Sequence, residues 1–129
     1  MESDVLVVDD SAAIRKILQR VLRQTGMAIH TIHEAGDGLE ALKLLGTQKV
    51  DLVLSDINMP KMDGLQLLAA LKASGQWRHI PVVMITTEGG ETRVAEAVKL
   101  GAAGYVRKPF TVDQIKEKLV GILEPAPAL

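Results

Sequence analysis

Apolar residues in this chain fall into short unbroken runs, separated by longer stretches where they recur at helical spacing. Val5-Leu6-Val7-Val8, Leu52-Val53-Leu54 and Val82-Val83-Met84-Ile85 do not alternate with polar residues. Such runs mark strands buried on both faces, as in parallel sheets. Tyr105-Val106-Arg107 reads as a further strand. Residues 28–34 form the weakest strand pattern, with Ile29, Thr31 and Ile32 between His30 and His33, which suits an edge position.

Between the runs the period changes. Ile14, Ile17, Leu18, Val21 and Leu22 recur as one helical stripe, with Arg15, Lys16 and Arg23 among them as a solvated face. Ser11 suits the N-cap of this helix and Gly26 its end. Asp37-Gly38-Leu39-Glu40 resembles a capping box, opening a helix whose buried stripe is read as Leu39, Leu42 and Leu45. Asp63 caps a helix carried by Leu67, Leu68 and Leu71. Gly89-Gly90 opens the next helix loosely, with Val94, Ala95 and Val98 read as inward. Thr111-Val112-Asp113-Gln114 is a second capping box, before Ile115, Leu119 and Ile122.

Five strands alternating with five helices predict βαβ units with right-handed crossovers. The expected fold is therefore α/β, a (βα)5 doubly wound five-stranded parallel sheet. A flavodoxin-like order of 2-1-3-4-5 sets the first strand beside the third, and ligands in such sheets bind beyond the carboxyl ends of the strands at that switch point. One domain is expected over residues 1–124, with 125–129 as a frayed tail and no output module.

That order brings particular residues together. Asp9 and Asp10 follow the first strand, Asp56 ends the third, Thr86 ends the fourth and Lys108 follows the fifth. Three crowded carboxylates repel one another unless a proton or cation intervenes. Mg²⁺ suits such a site, because it takes hard oxygen ligands and needs only one or two carboxylates beside a phosphate. Lys108 can pair with a phosphate oxygen, Thr86 can donate a hydroxyl hydrogen bond, and Asp56 can attack phosphorus as a carboxylate nucleophile.

Composition narrows the alternatives. The chain has 129 residues, no cysteine and a net charge of −1. That leaves no disulfide framework, no thiolate metal site and no electrostatic case for nucleic acid. Aromatics are 2% of the chain, so base-stacking platforms are absent and aliphatic side chains must fill the core. No apolar run approaches the ~20 residues of a membrane span, and the acidic start Met1-Glu2-Ser3-Asp4 lacks the basic region of a secretory signal. A cytoplasmic location is expected. His30 and His33, three apart on a strand, point to opposite sides and do not make a metal pair.

Four motifs in order carry a resemblance. They are Val7-Val8-Asp9-Asp10-Ser11, the run from Asp56-Ile57-Asn58-Met59-Pro60 to Asp63-Gly64, Ile85-Thr86, and the run from Gly101 to Lys108-Pro109-Phe110. Over essentially its whole length the chain resembles the receiver domain of two-component response regulators, most of all the stand-alone CheY-like chemotaxis type. The resemblance implies that Asp56 accepts a phosphoryl group from a phosphohistidine, on a sensor histidine kinase or a histidine phosphotransfer domain. It implies Mg²⁺ held by Asp10, Asp56 and the backbone carbonyl of Asn58, with Asp9 acting through water. Thr86 and Lys108 would contact the phosphoryl oxygens, and Thr86 and Tyr105 would move inward as the switch. The face of the fourth helix, fifth strand and fifth helix would then bind a downstream target such as a flagellar motor component. A cis Lys108-Pro109 bond is also implied, as is tuning of dephosphorylation by Asn58 and Glu88. One position departs from the family pattern: the residue after Thr86 is often small, and here it is the β-branched Thr87. The protein is read as a monomeric phospho-acceptor switch and not as an enzyme in the ordinary sense.

Other functions fit these residues less well. A haloacid-dehalogenase-type phosphatase wants a general acid two residues after its nucleophile, where this chain has Asn58. A flavodoxin-like electron carrier wants a Ser, Thr and Gly loop after the first strand, where Asp9-Asp10-Ser11 would repel a flavin phosphate. A phosphorelay intermediate and a non-phosphorylated scaffold pseudo-receiver remain as alternatives within the family.

Overall fold

The computed structural model describes residues 2–87 and 91–123. Glu88, the Gly89-Gly90 pair and the tail at 125–129 lie outside these described residues. The elements run β1 (Ser3–Val8), α1 (Ala12–Gln24), β2 (Ile29–Ala35), α2 (Gly38–Leu45), β3 (Leu52–Asp56), α3 (Gly64–Ala73), β4 (Val82–Thr86), α4 (Glu91–Lys99), β5 (Gly104–Arg107) and α5 (Val112–Leu119). All strand pairings are parallel and the order is β2-β1-β3-β4-β5. The α/β fold and strand order expected from the sequence are the ones observed. β2, with its two histidines, is an edge strand.

Strand side chains alternate between sheet faces, and the alternation sorts the core into two layers. Leu6, Val8, Val53, Val82 and Met84 pack under α2, α3 and α4, with Ala41, Leu45, Leu67, Leu68, Leu71 and Ala97. Val5, Val7, Leu52, Leu54, Val83 and Ile85 pack under α1 and α5, with Leu18, Leu22, Ile115 and Leu119. Both faces of the central strands are thus covered, which is why their sequences run apolar without alternation.

Side-chain oxygens cap the helices. Ser11 accepts from the Ile14 N–H at 3.3 Å. Asp63 with Gln66 and Thr111 with Gln114 form complete capping boxes. At α2 only half of the expected box forms. Asp37 accepts from the Glu40 N–H at 2.9 Å, while the Glu40 carboxylate lies over Gly36 instead of returning to the cap. Gly26, at φ +77°, turns the chain out of α1 in the left-handed region that glycine tolerates.

The buried stripes of two helices differ from expectation. Leu39 is half exposed, and α2 buries Gly38, Ala41 and Leu45. Leucines spaced by three drift around the helix, so Leu39 stands about 120° from Leu45 at ~100° per residue. In α4, Ala95 and Val98 face outward and Ala97 is buried. Arg93 turns that helix: its guanidinium reaches the Asp63 carboxylate at 3.0 Å, so the Arg93–Ala97 side faces the fold. Ile17 of α1 is also exposed, at the margin of the Leu18–Val21–Leu22 stripe.

Gly64, the first residue of α3, lies directly against β3. A methyl group there would run into the Asp56 carbonyl oxygen and stand 2.9 Å from Ile57 Cα and from Met84 Cε. Two of these three obstacles are backbone and cannot rotate away. Gly64→Ala is therefore expected to destabilise the fold by about 1–3 kcal/mol, despite the better helix propensity of alanine. Urea denaturation followed by Trp77 fluorescence measures this; an unchanged midpoint would contradict the close approach.

Candidate functional site at the carboxyl edge of the sheet

The register brings the chemistry to one edge. Val8 pairs with Ser55, Asp56 with Ile85, and Thr86 with Arg107, so the polar residues that end or follow these strands lie side by side. The Lys108 N–H donates to the Thr86 carbonyl at 2.6 Å, extending the β4–β5 ladder one step to the lysine. Lys108-Pro109 is a cis peptide bond, as the resemblance implied.

Asp9, Asp10 and Asp56 each offer a carboxylate oxygen within 4.8 Å of the others. Asp9 is fully buried, Asp56 is nearly so, and Asp10 is exposed. Lys108 sits among them, with Nζ 3.0 Å from Asp9 Oδ2 and 3.4 Å from Asp56 Oδ2. Asp9 Oδ1 accepts from the Ser11 N–H at 2.9 Å, and Asp56 Oδ1 from the Ile57 N–H at 2.8 Å. Asp9 and Asp56 are therefore fixed at both oxygens. The donor set consists of hard carboxylate oxygens grouped at the carboxyl ends of the strands, which fits a divalent cation of the Mg²⁺ type.

Burial pushes the Asp56 carboxyl above its ordinary value of 3.8, and the Asp9 charge adds to the rise; Lys108 and the Ile57 N–H offset part of it. Burial alone would lower the Lys108 ammonium. Its hydrogen bond to Asp9 and the charges of Asp56 and Asp9 outweigh that, and it stands above the ordinary 10.5.

Both shifts mean that the folded protein holds its proton more tightly, so both contributions fall as pH rises, each in its own range. A carboxyl that binds its proton more tightly when folded makes the fold less stable as pH rises through its folded value. The stability of the metal-free protein is thus expected to lose an Asp56-dependent increment as pH rises from the ordinary carboxylate value of 3.8 upward through the raised one. Melting temperatures in chelator across that range, compared with Asp56→Asn, measure it; parallel curves for the two proteins would contradict the reading. The Lys108 contribution runs in the same direction but at far higher pH. It is fully present below 10.5 and lost only as pH rises through the higher folded value.

The remaining candidates lie close by. Thr86 is buried and its hydroxyl donates to the Thr87 carbonyl at 3.2 Å. Tyr105 is outward and partly exposed, with Lys118 Nζ 5.7 Å from its ring centre, a cation–π contact. Asn58 is exposed two residues past Asp56. Two participants, Arg15 and Arg93, were not recognised in the sequence. Arg15, expected on a solvated face, donates from Nη1 to the Asp9 carbonyl at 2.6 Å and from Nε to Glu34 Oε1 at 3.0 Å. Arg93 ties α4 to the cap of α3. A local signal existed for Arg15, which lies one helical turn after the Ser11 cap and so faces the strand ends.

A parallel sheet in the order 2-1-3-4-5, with acids and a lysine gathered at its switch point, defines the class: a flavodoxin-like α/β protein with an acidic site able to hold a cation. Residues 5–120 match the response regulator receiver domain, and the chain belongs to that family. It is 42% identical over 120 residues to the chemotaxis protein CheY-3 of Vibrio cholerae, covering 93% of this chain and 91% of that protein. It is 40% identical to the chemotaxis protein CheY of Pseudomonas aeruginosa, covering 93% and 95%. Among solved structures, the chemotaxis response regulator CheY4 of Vibrio cholerae superposes with a TM-score of 0.83 at 32% identity, covering 95% of this chain and all of that one. Among the described residues, no helix is long and apolar enough to cross a membrane.

Proposed function

We propose that this response regulator accepts a phosphoryl group on Asp56 from a phosphohistidine of a sensor kinase or histidine phosphotransfer domain, in a Mg²⁺-dependent reaction. The single observation that carries the reading is the clamped carboxylate: Asp56 is held by Ile57 and Lys108, with carboxylate oxygens of Asp9 and Asp10 within 4.8 Å of its own. In the transfer, an Asp56 oxygen forms a bond to phosphorus and the phosphorus–nitrogen bond to imidazole breaks, the imidazole leaving with the bonding pair. Lys108, pre-positioned by Asp9, is placed to pair with a phosphoryl oxygen, and Thr86 to donate to another after its hydroxyl leaves the Thr87 carbonyl. Asp9, Asp10, Asp56 and the Asn58 carbonyl are the residues that would hold Mg²⁺, which supplies neutralisation of the charge on the transferring group.

The output follows from Thr86. Its inward movement would open space for Tyr105 and change the face of α4, β5 and α5 toward a protein target. The named relatives favour a chemotaxis role; under that reading the target would be a flagellar motor component or a kinase. A single monomeric domain over 1–124 suffices for this, as a phospho-acceptor switch that assists its own phosphorylation and dephosphorylation; Asn58 and Glu88 are the positions proposed to tune its decay. Cytoplasmic partners fit such a switch. The test is amide exchange across residues 86–105 before and after acetyl phosphate with Mg²⁺. Changed protection in α4 and β5 is expected, and an unchanged profile in a protein that has taken up phosphate would contradict the switch.

A further inference from the structure

Asp10 is the least anchored of the three carboxylates. Asp9 and Asp56 are each fixed by a backbone N–H and by Lys108. Asp10 is exposed, and among the described residues none donates a hydrogen bond to its carboxylate. Its placement rests on the backbone from 9 to 11. The Asp9 carbonyl and the Asp10 N–H belong to one planar peptide unit, so whatever fixes that oxygen fixes the entry into Asp10.

Arg15 fixes it. Its Nη1 donates to the Asp9 carbonyl at 2.6 Å, a short charge-assisted bond, and its side chain is only 19% exposed. Its Nε donates to Glu34 Oε1 at 3.0 Å, which anchors the guanidinium to the β2 edge. The Arg15 N–H also closes the first turn of α1 on the Ser11 carbonyl at 3.1 Å. One residue thus holds both ends of the Asp9–Ser11 segment. The Glu34 carboxylate offsets the guanidinium charge, so the grip on the carbonyl adds little repulsion toward a cation nearby. A lysine cannot replace it, because only the rigid fork of arginine reaches two partners in fixed geometry.

We infer that Arg15 is a positioning residue for the cation site: with Glu34 as its anchor, it sets the Asp10 limb and thereby raises affinity for a divalent cation. This rests on reading the carboxylate cluster as a cation site. Loss of a residue that holds a metal ligand in place typically changes metal affinity 10–100-fold.

The experiment is equilibrium Mn²⁺ binding, read from the signal of free Mn²⁺, on wild type, Arg15→Ala, Arg15→Lys and Glu34→Gln, with melting temperatures measured alongside. Arg15→Ala and Arg15→Lys are expected to weaken binding by about 10-fold or more, and Glu34→Gln by less. Arg15→Lys is expected to stay close to wild type in melting temperature, which separates positioning from folding. Excess Mg²⁺ is expected to return its phosphoryl incorporation toward the wild-type rate. Wild-type affinity in the folded lysine and glutamine variants would overturn the inference, as would an affinity loss that only follows loss of stability. Should wild type itself take up no Mn²⁺, the cation-site reading fails and the inference with it; that outcome is visible without any variant. If Arg15→Ala does not fold, the other two variants decide.

Discussion

Asp56→Asn is expected to abolish phosphoryl acceptance and to stabilise the metal-free fold at neutral pH. The two effects have one cause. Asp56 is buried, pushed above the ordinary carboxylate range by that burial and by Asp9, and only partly compensated by Lys108. Asparagine keeps the shape and the acceptor that the Ile57 N–H uses, but removes both the nucleophile and the desolvated charge. Intact mass after incubation with acetyl phosphate and Mg²⁺ measures the first effect, and chemical denaturation in chelator the second. A variant that still gains one phosphoryl group would move the acceptor elsewhere. A variant that is less stable than wild type near pH 7 would show that the Asp56–Lys108 attraction outweighs the cost of burying the charge.

The second large effect is expected from Lys108→Met. Methionine fills the space of the lysine stem without its charge. Lys108 is the cation between Asp9 and Asp56, and Asp9 is buried with no cation on its carboxylate among the described residues other than this one. Loss of a donor to a developing phosphoryl charge costs roughly 10²–10³ in rate at other enzyme sites, and a reduction of that order in phosphorylation rate is expected. Leaving Asp9 without its ion pair costs about 1–3 kcal/mol in the absence of metal, and added Mg²⁺ is expected to recover part of it. Single-turnover phosphorylation and melting with and without Mg²⁺ measure both. A variant phosphorylated at the wild-type rate would remove Lys108 from the transfer step.

These expectations draw on features with very different legibility in the sequence. β1, β3 and β4 could be read because strands covered on both faces must be apolar throughout, and their carboxyl ends located Asp9, Asp10, Asp56 and Thr86 at once. Lys108 followed from the same alternation. The caps at Ser11, Asp63 and Thr111 were legible because each needs a particular side chain at a particular offset. What could not be read was rotation. Leu39 and Val98 are apolar residues whose helices turn a neighbouring position inward, Ala41 in one and Ala97 in the other. In α4 the deciding contact is the pair of Arg93 with Asp63, 30 residues away in the chain. Arg15 was hidden similarly, as one of several basic residues on α1; only the packing of β2 beside β1 shows that its partners are Glu34 and the Asp9 carbonyl. The tight seat of Gly64 under Asp56 depends on how α3 approaches the sheet, which spacing alone does not express.

The most direct test of the whole account is phosphoryl incorporation into the wild-type chain, followed by intact mass over time with Mg²⁺ and either acetyl phosphate or a phosphorylated histidine donor. A labile gain of one phosphoryl group that requires Mg²⁺ and maps to Asp56 is the predicted result. No gain from either donor at any Mg²⁺ concentration would contradict it, and would leave the clamped carboxylates as the frame of a scaffold instead of a switch.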